Sequence, residues 1–260
     1  MENDTSSANT ESSVLLNHVQ ILNEQFKLIK SEIELINKKL VKLNLKNNDK
    51  KHNTEPVILV LYDLETTGLG MTSEIQITEI GAIEIDLHGK KKNEFRELVR
   101  TSIPVSKSVS HMTTNTTQSL QQLSNWKIVS EKFNNWLLSL RKKTNKKIFL
   151  CAHNGKRFDS RLLVFENKRH GVEFLRDLYH LDTLPLFKSM FPGLISYSLS
   201  KIYFHLFAKA IKNCHTAIGD INAMIEIIEI GLMHGPELLY KWINKDYESF
   251  DAVQKRCLKK

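Results

Sequence analysis

Apolar positions divide the chain into an amino-terminal stretch with a seven-residue beat and a longer stretch in which strand-like and helix-like patterns alternate. In the first, they fall at Leu15, Val19, Leu22, Phe26, Ile29, Ile33, Ile36, Leu40 and Leu43, with steps alternating four and three. This is a heptad seam, and it predicts a coiled-coil helix over residues 14–45 behind a polar tail, 1–13, expected to be disordered. A helix packed on its own chain more often carries a wider stripe of period 3.6, so the seam favours a homo-oligomer, with intramolecular packing as the alternative. Residues 46–55, rich in Lys and Asn, read as a linker.

Beyond the linker, Val57 to Tyr62 is an unbroken apolar and aromatic run, the pattern of a strand buried on both faces. A second strand is expected over 80–85. A polar turn at His88-Gly89-Lys90 then leads to an antiparallel third near 94–99. Trp126, Val129, Phe133, Trp136 and Leu137 form one face of a helix expected over 119–140. A strand over 148–152, a helix carrying Phe158, Leu162, Leu163 and Phe165, and a short strand at Leu181 follow. Asp182-Thr183 then caps a helix with Pro185 in its first turn. Ser198 opens another, and an apolar helix is expected over 220–233. The main domain is read as 56–235, with an amphipathic helical extension over 236–260.

Composition adds constraints. Of the 260 residues 41% are hydrophobic, enough for a real core, and the net charge of +8 favours polyanionic partners. Three cysteines, without a C-x-x-C pair, fit a reducing compartment and speak against both a disulfide framework and a zinc site. The polar, acidic first residues do not resemble a signal peptide, and no apolar run approaches the roughly 20 residues that span a bilayer. A cytoplasmic or nuclear protein without a membrane segment is expected.

Carboxylates then appear where a buried fold does not ordinarily place them. The first strand ends in Asp63-Leu64-Glu65, and residues two apart in a strand share a face, about 7 Å apart along the chain. Burying such a pair is costly unless something positive neutralises it. Because no Lys or Arg lies between Tyr62 and Gly70, a divalent cation is the natural partner. Gly68 permits a sharp turn away from the strand. Asp159 follows the 148–152 strand at a helix start, and Asp220 opens the apolar helix five residues after His215. On one continuous helix these two would sit about 140° apart, so they converge only if His215 lies on the preceding loop. Each segment alone is also what a turn or a capping acid would produce.

In this order and with these neighbours, Asp63-Leu64-Glu65-Thr66-Thr67-Gly68, His153 to Asp159, and His215-Thr216-Ala217-Ile218-Gly219-Asp220 resemble the DEDDh exonucleases of the DnaQ-like superfamily, above all TREX-type enzymes. Asp182-Thr183-Leu184 and Ser196-Tyr197-Ser198-Leu199 match the pattern between the second and third motifs, while the proline-rich insertion of some TREX-type enzymes has no counterpart. The likeness runs from about residue 57 to 230 and leaves out the heptads. It implies an RNase H-like α/β fold, a five-stranded mixed sheet with an antiparallel second strand, flanked by helices. It also implies 3′→5′ hydrolysis of single-stranded nucleic acid, DNA ahead of RNA, to 5′-mononucleotides. Two Mg²⁺ or Mn²⁺ ions roughly 3.5–4 Å apart would clamp the scissile phosphate. By the same resemblance Asp63 bridges both ions, Glu65 and Asp220 hold one of them, Asp159 supports the site, and His215 takes a proton from the attacking water. An imidazole, with an ordinary pKa of about 6.5, suits that role. Thr66, Thr67, Leu69 and His111 would meet the terminal nucleotide. Asn154 and Phe158 either contact it or serve as a turn and a core residue. The rival class is a catalytically idle exonuclease-fold module that binds nucleic acid or protein and oligomerises through the coiled coil.

Overall fold

Hydrophobic alternation on β1 (Val57–Thr66) separates the two layers of the molecule. Ile58, Val60, Tyr62 and Leu64 face one core with Trp126, Val129, Phe133, Leu162 and Phe250. Leu59 and Leu61, buried on the opposite face, lead directly into Asp63 and Glu65. In this computed structural model the described residues are 57–259 apart from 71, 112–114 and 143–145, together with 16, 18–29, 31–32, 35–36 and 39. The chain divides into two units, 1–47 and 48–260.

In the first unit every described residue is helical (α1, within 16–39), and Val19, Leu22, Phe26, Ile29 and Ile36 of the heptad seam are exposed. Leu15, Ile33, Leu40 and Leu43, the tail 1–13 and the linker 46–55 lie outside the described residues.

The second unit is built from β2 (Ile77–Ile85), β3 (Lys91–Leu98), α2 (Lys107–Ser110), α3 (Thr117–Leu120), α4 (Trp126–Lys142), β4 (Lys147–Ala152), α5 (Asp159–His170), β5 (Leu178–Asp182), α6 (Thr183–Met190), α7 (Leu199–Phe207), α8 (Ala217–His234), α9 (Pro236–Lys245), β6 (Glu248–Ser249) and α10 (Phe250–Leu258). The sheet order is β3-β2-β1-β4-β5-β6. β1 runs antiparallel to β2 and parallel to β4, and β2 is antiparallel to β3. This is the RNase H-like α/β architecture, with helices on both faces of a mixed sheet.

The expectation of five strands is corrected to six. β6 is a two-residue strand that pairs Glu248 and Ser249 with His180 and Tyr179 on the outer edge of β5. Two residues are too few to show any alternation, so no pattern announces it. The carboxy-terminal extension continues into the core. Phe250 stacks on Phe174 with ring centroids 4.7 Å apart, and Trp242 Nε1 donates 2.8 Å to the Asp182 carbonyl. The helix expected over 119–140 is two helices. Asn125 pairs with Arg100 in an isolated bridge, and its side chain accepts from the Ile128 N–H at the start of α4.

Candidate active site

β1 carries its acids past the edge of the apolar core. Asp63 and Glu65 point to one side, opposite Gly81 and Glu79 of β2. Gly81 is the reason a helix can reach them. A Cβ there would stand 2.8 Å from Cβ of Ala217, so α8 rests directly on the backbone of β2. That contact sets Asp220, one turn further along α8, beside the end of β1.

The loop before α8 is folded by its own hydrogen bonds. Thr216 Oγ1 donates to the Asn213 carbonyl and accepts from the Gly219 N–H, closing the helix start. Asn213 and His215 both adopt left-handed backbone angles, φ 55° and 63°. A side chain at Gly219 would run into the Asn213 carbonyl. His215 therefore lies on the loop and not on the helix, the arrangement under which it and Asp220 can converge.

Ligand atoms of Asp63, Glu65 and Asp220 lie within 4.8 Å of one another, as do those of Cys214, His215 and Asp220. Asp159, the first residue of α5, is buried 5% exposed and lines the same cleft of about 740 Å³ with His215. Among the described residues no Lys or Arg forms an ion pair with any of the four acids. By contrast the neighbouring Glu79, also buried, takes Arg96 Nε at 2.7 Å. Burial first, then the surrounding negative charge, pushes Asp63 well above the usual carboxylate range. The same causes push Glu65 up to about 7. Burial also pushes Asp159 up to about 7, against the pull of hydrogen bonds from the backbone of Asp159 and Leu64. Asp220 is raised by burial, partly offset by His215 and Cys214, and its Oδ1 is buried without a hydrogen-bond partner. Converging oxygen donors, an orphaned carboxylate oxygen and no basic side chain to neutralise them fit a divalent cation.

The other expected contacts divide. Asn154, held at φ 58°, and the half-buried Phe158 line the cleft. Leu69 is 70% exposed and His111 is exposed, with Nδ1 3.0 Å from the Lys107 carbonyl; neither lines that cleft. Thr66 and Thr67 are buried. The Thr66 hydroxyl donates to the Gly68 carbonyl. The Thr67 N–H donates to Gln76, and its carbonyl accepts from the Ser106 N–H. The structure thus commits the Thr67 backbone to the turn itself.

Sequence reasoning gave no site role to His153, Lys188, Tyr197 or Arg157, all of which line the cleft. Burial holds His153 below the ordinary imidazole range. Its Nε2–H donates 2.8 Å to the Tyr197 carbonyl, and Nδ1 pairs with the Thr183 hydroxyl at 3.0 Å. His153 thereby ties the β4 end to the Ser196-Tyr197-Ser198 wall. Its position within the His153 to Asp159 segment is the one signal that could have found it. A second groove of about 580 Å³ adjoins the cleft, sharing Arg157 and Phe158 with it. Arg161 and Lys168 add to its positive charge, Arg256 is paired with Glu248 at 3.1 Å, and among the described residues no carboxylate lines it.

Similarity to known proteins follows the same segments. A family model for exonucleases, RNase_T, matches residues 60–228. Three-prime repair exonuclease 1 of Bos taurus is 30% identical over 114 residues, covering 40% of this chain and 35% of that protein. Three prime repair exonuclease 2 of Mus musculus is 31% identical over 116 residues, 41% and 48% respectively. The chain thus spans about a third to a half of the length of these two relatives. A longer match, 28% over 232 residues, covers 86% of this chain and 70% of exonuclease DPD1, chloroplastic/mitochondrial, of Arabidopsis thaliana. Among solved structures, the nuclease domain of 3'hExo, described as a DEDDh family member bound to rAMP, superposes with a TM-score of 0.60 at 17% identity. The match covers 69% of this chain and 94% of that one. E. coli exonuclease I in complex with a dT13 oligonucleotide gives 0.58 at 18% identity, covering 72% and 43%. At these identities the two structures speak to the fold alone.

Proposed function

The chain belongs to the RNase_T exonuclease family, and from that premise we propose that it is a metal-dependent 3′→5′ exonuclease acting on single-stranded ends and releasing 5′-mononucleotides. The observation that carries this reading is that carboxylates from separate segments meet at the end of β1, with no Lys or Arg paired to them among the described residues and with His215 beside them. Two relatives carry "three-prime" in their names, which supports the polarity.

Asp63, Glu65, Asp159 and Asp220 would hold two divalent ions, Mg²⁺ or Mn²⁺. Bound there, such ions supply Lewis-acid activation of water and offset charge on the scissile phosphate. His215 holds its ring at the cleft, where it accepts the proton of the attacking water. Asn154 and Phe158 would shape the seat of the terminal nucleotide, while Leu69 and His111, which do not line the cleft, would meet that nucleotide from outside it. The adjoining groove, positive and edged with Phe158 and Phe165, suits the following phosphates and bases of a flexible strand. DNA is the preferred strand in this reading, and a reducing cytoplasmic or nuclear setting accords with the three free cysteines. Among the described residues no helix is long and apolar enough to cross a membrane.

The test is digestion of matched DNA and RNA oligonucleotides labelled at the 5′ end, with Mg²⁺ and with chelator. A ladder that shortens from the 3′ end, with mononucleotide product and none under chelator, is expected. Absence of cleavage while the oligonucleotides still bind would favour the idle binding module. We also propose that α1 pairs with a second copy along Val19, Leu22, Phe26, Ile29 and Ile36, which hides an apolar stripe that soluble monomers avoid. Deleting residues 1–52 should then lower the mass measured by light scattering to that of a single chain and leave turnover on short oligonucleotides intact. An unchanged oligomeric state would refute the pairing.

A further inference from the structure

Cys214 has no part in the chemistry above, yet its sulfur stands among groups that do. It sits between two left-handed residues, Asn213 and His215, in the loop that Thr216 and Gly219 clamp to the start of α8. This turn brings the Cys214 sulfur within 4.8 Å of an Asp220 carboxylate oxygen. One ligand atom each from Cys214, His215 and Asp220 lies within 4.8 Å of the other two. Asp220 belongs at the same time to the all-oxygen set with Asp63 and Glu65. Two kinds of donor set therefore share one carboxylate. The oxygen set suits a hard cation, whereas sulfur, imidazole nitrogen and one carboxylate oxygen are a donor set for zinc.

We propose that Cys214, His215 and Asp220 form a Zn²⁺ site whose occupation switches the active site off. Zinc bonds of about 2.0–2.3 Å in tetrahedral geometry place ligand atoms roughly 3.3–3.8 Å apart, so small rotations of side chains already clustered within 4.8 Å suffice. Cys214 binds as the thiolate, its proton leaving to solvent. The fourth position is left to water. Coordination occupies a ring nitrogen of His215 and draws Asp220 away from Asp63 and Glu65. The metal-binding half stands on geometry alone, and the inhibitory half rests on the exonuclease reading.

The experiment uses the full chain, as the parent and as Cys214→Ser, with Cys151 and Cys257 kept in both. Co²⁺ serves as the spectroscopic probe and Zn²⁺ as the inhibitor. The parent is expected to show a near-ultraviolet thiolate-to-cobalt charge-transfer band that Zn²⁺ displaces, and Cys214→Ser is expected to lack it. Removing a direct ligand should weaken Zn²⁺ binding, measured calorimetrically, by at least the roughly 10–100-fold loss common for outer-sphere changes. The zinc concentration that halves Mg²⁺-dependent hydrolysis should rise in parallel. A parent without the thiolate band, or equal zinc affinity in the two proteins, would overturn the site. A clear band in a protein that hydrolyses no oligonucleotide would leave the zinc site standing and sink the exonuclease reading instead.

Discussion

Asp63→Ala abolishes divalent-metal-dependent hydrolysis and yields a protein that, without metal, is more stable than its parent above neutral pH. Both halves come from the same crowding. The unfolded chain ionises its carboxyls in their ordinary range, whereas burial and mutual repulsion hold Glu65 and Asp159 protonated up to about 7, with Asp63 and Asp220 also raised. At these groups the folded state therefore binds protons more tightly, so the cluster's contribution to stability is greatest in acid and falls as pH climbs from the ordinary carboxylate range through about 7. Bound divalent ions favour the ionised acids and oppose that fall. Their stabilising effect should accordingly be larger at about pH 8 than at about pH 5. Removing Asp63 deletes one central charge from the cluster and flattens the decline. Thermal denaturation with chelator and with Mg²⁺ across this range, alongside oligonucleotide digestion, reads all of it. Near-parental turnover in Asp63→Ala, or in the companion Asp220→Asn, would show that these acids are not the metal site.

His215→Ala lowers the chemical rate by roughly 10²–10⁴-fold, the scale of a positioned general base, and leaves Mg²⁺ affinity close to the parent's. The structure separates these effects because Asp63, Glu65 and Asp220 cluster without help from the imidazole. Single-turnover measurements at saturating Mg²⁺ isolate the chemical step. If the rate holds and Mg²⁺ affinity collapses, His215 is a ligand for the hard cations and not the base.

What could be read from residues alone was whatever repeats or alternates. β1, the helical face around Phe133 and the α8 pattern are periodic over enough residues to declare themselves, and period two put Asp63 and Glu65 on one face. The requirement that His215 leave the helix followed from helical angles, and the left-handed φ at His215 is how the chain meets it. Long-range contacts were not legible. The Thr67 backbone is taken up by Gln76 and Ser106, partners 9 and 39 residues away, and no local pattern announces such a commitment. His153 gains its place from Thr183 and Tyr197, and the break between α3 and α4 comes with a bridge to Arg100. In each case tertiary partners override what the neighbouring residues suggest.

The short pairing of Glu248 and Ser249 on β5 has a consequence for the order in which the molecule can be made. Synthesis delivers β1, β4 and β5 long before the residues that cover β5, so a nascent chain passes through an interval with that edge unpaired and Phe174 without Phe250. An open edge beside an uncovered aromatic is a template for pairing with another chain. Ribosome-bound intermediates that already hold β5 but lack α10 are thus the stage at which that edge is most open to pairing with another chain, and slow translation between α9 and α10 would lengthen that exposure.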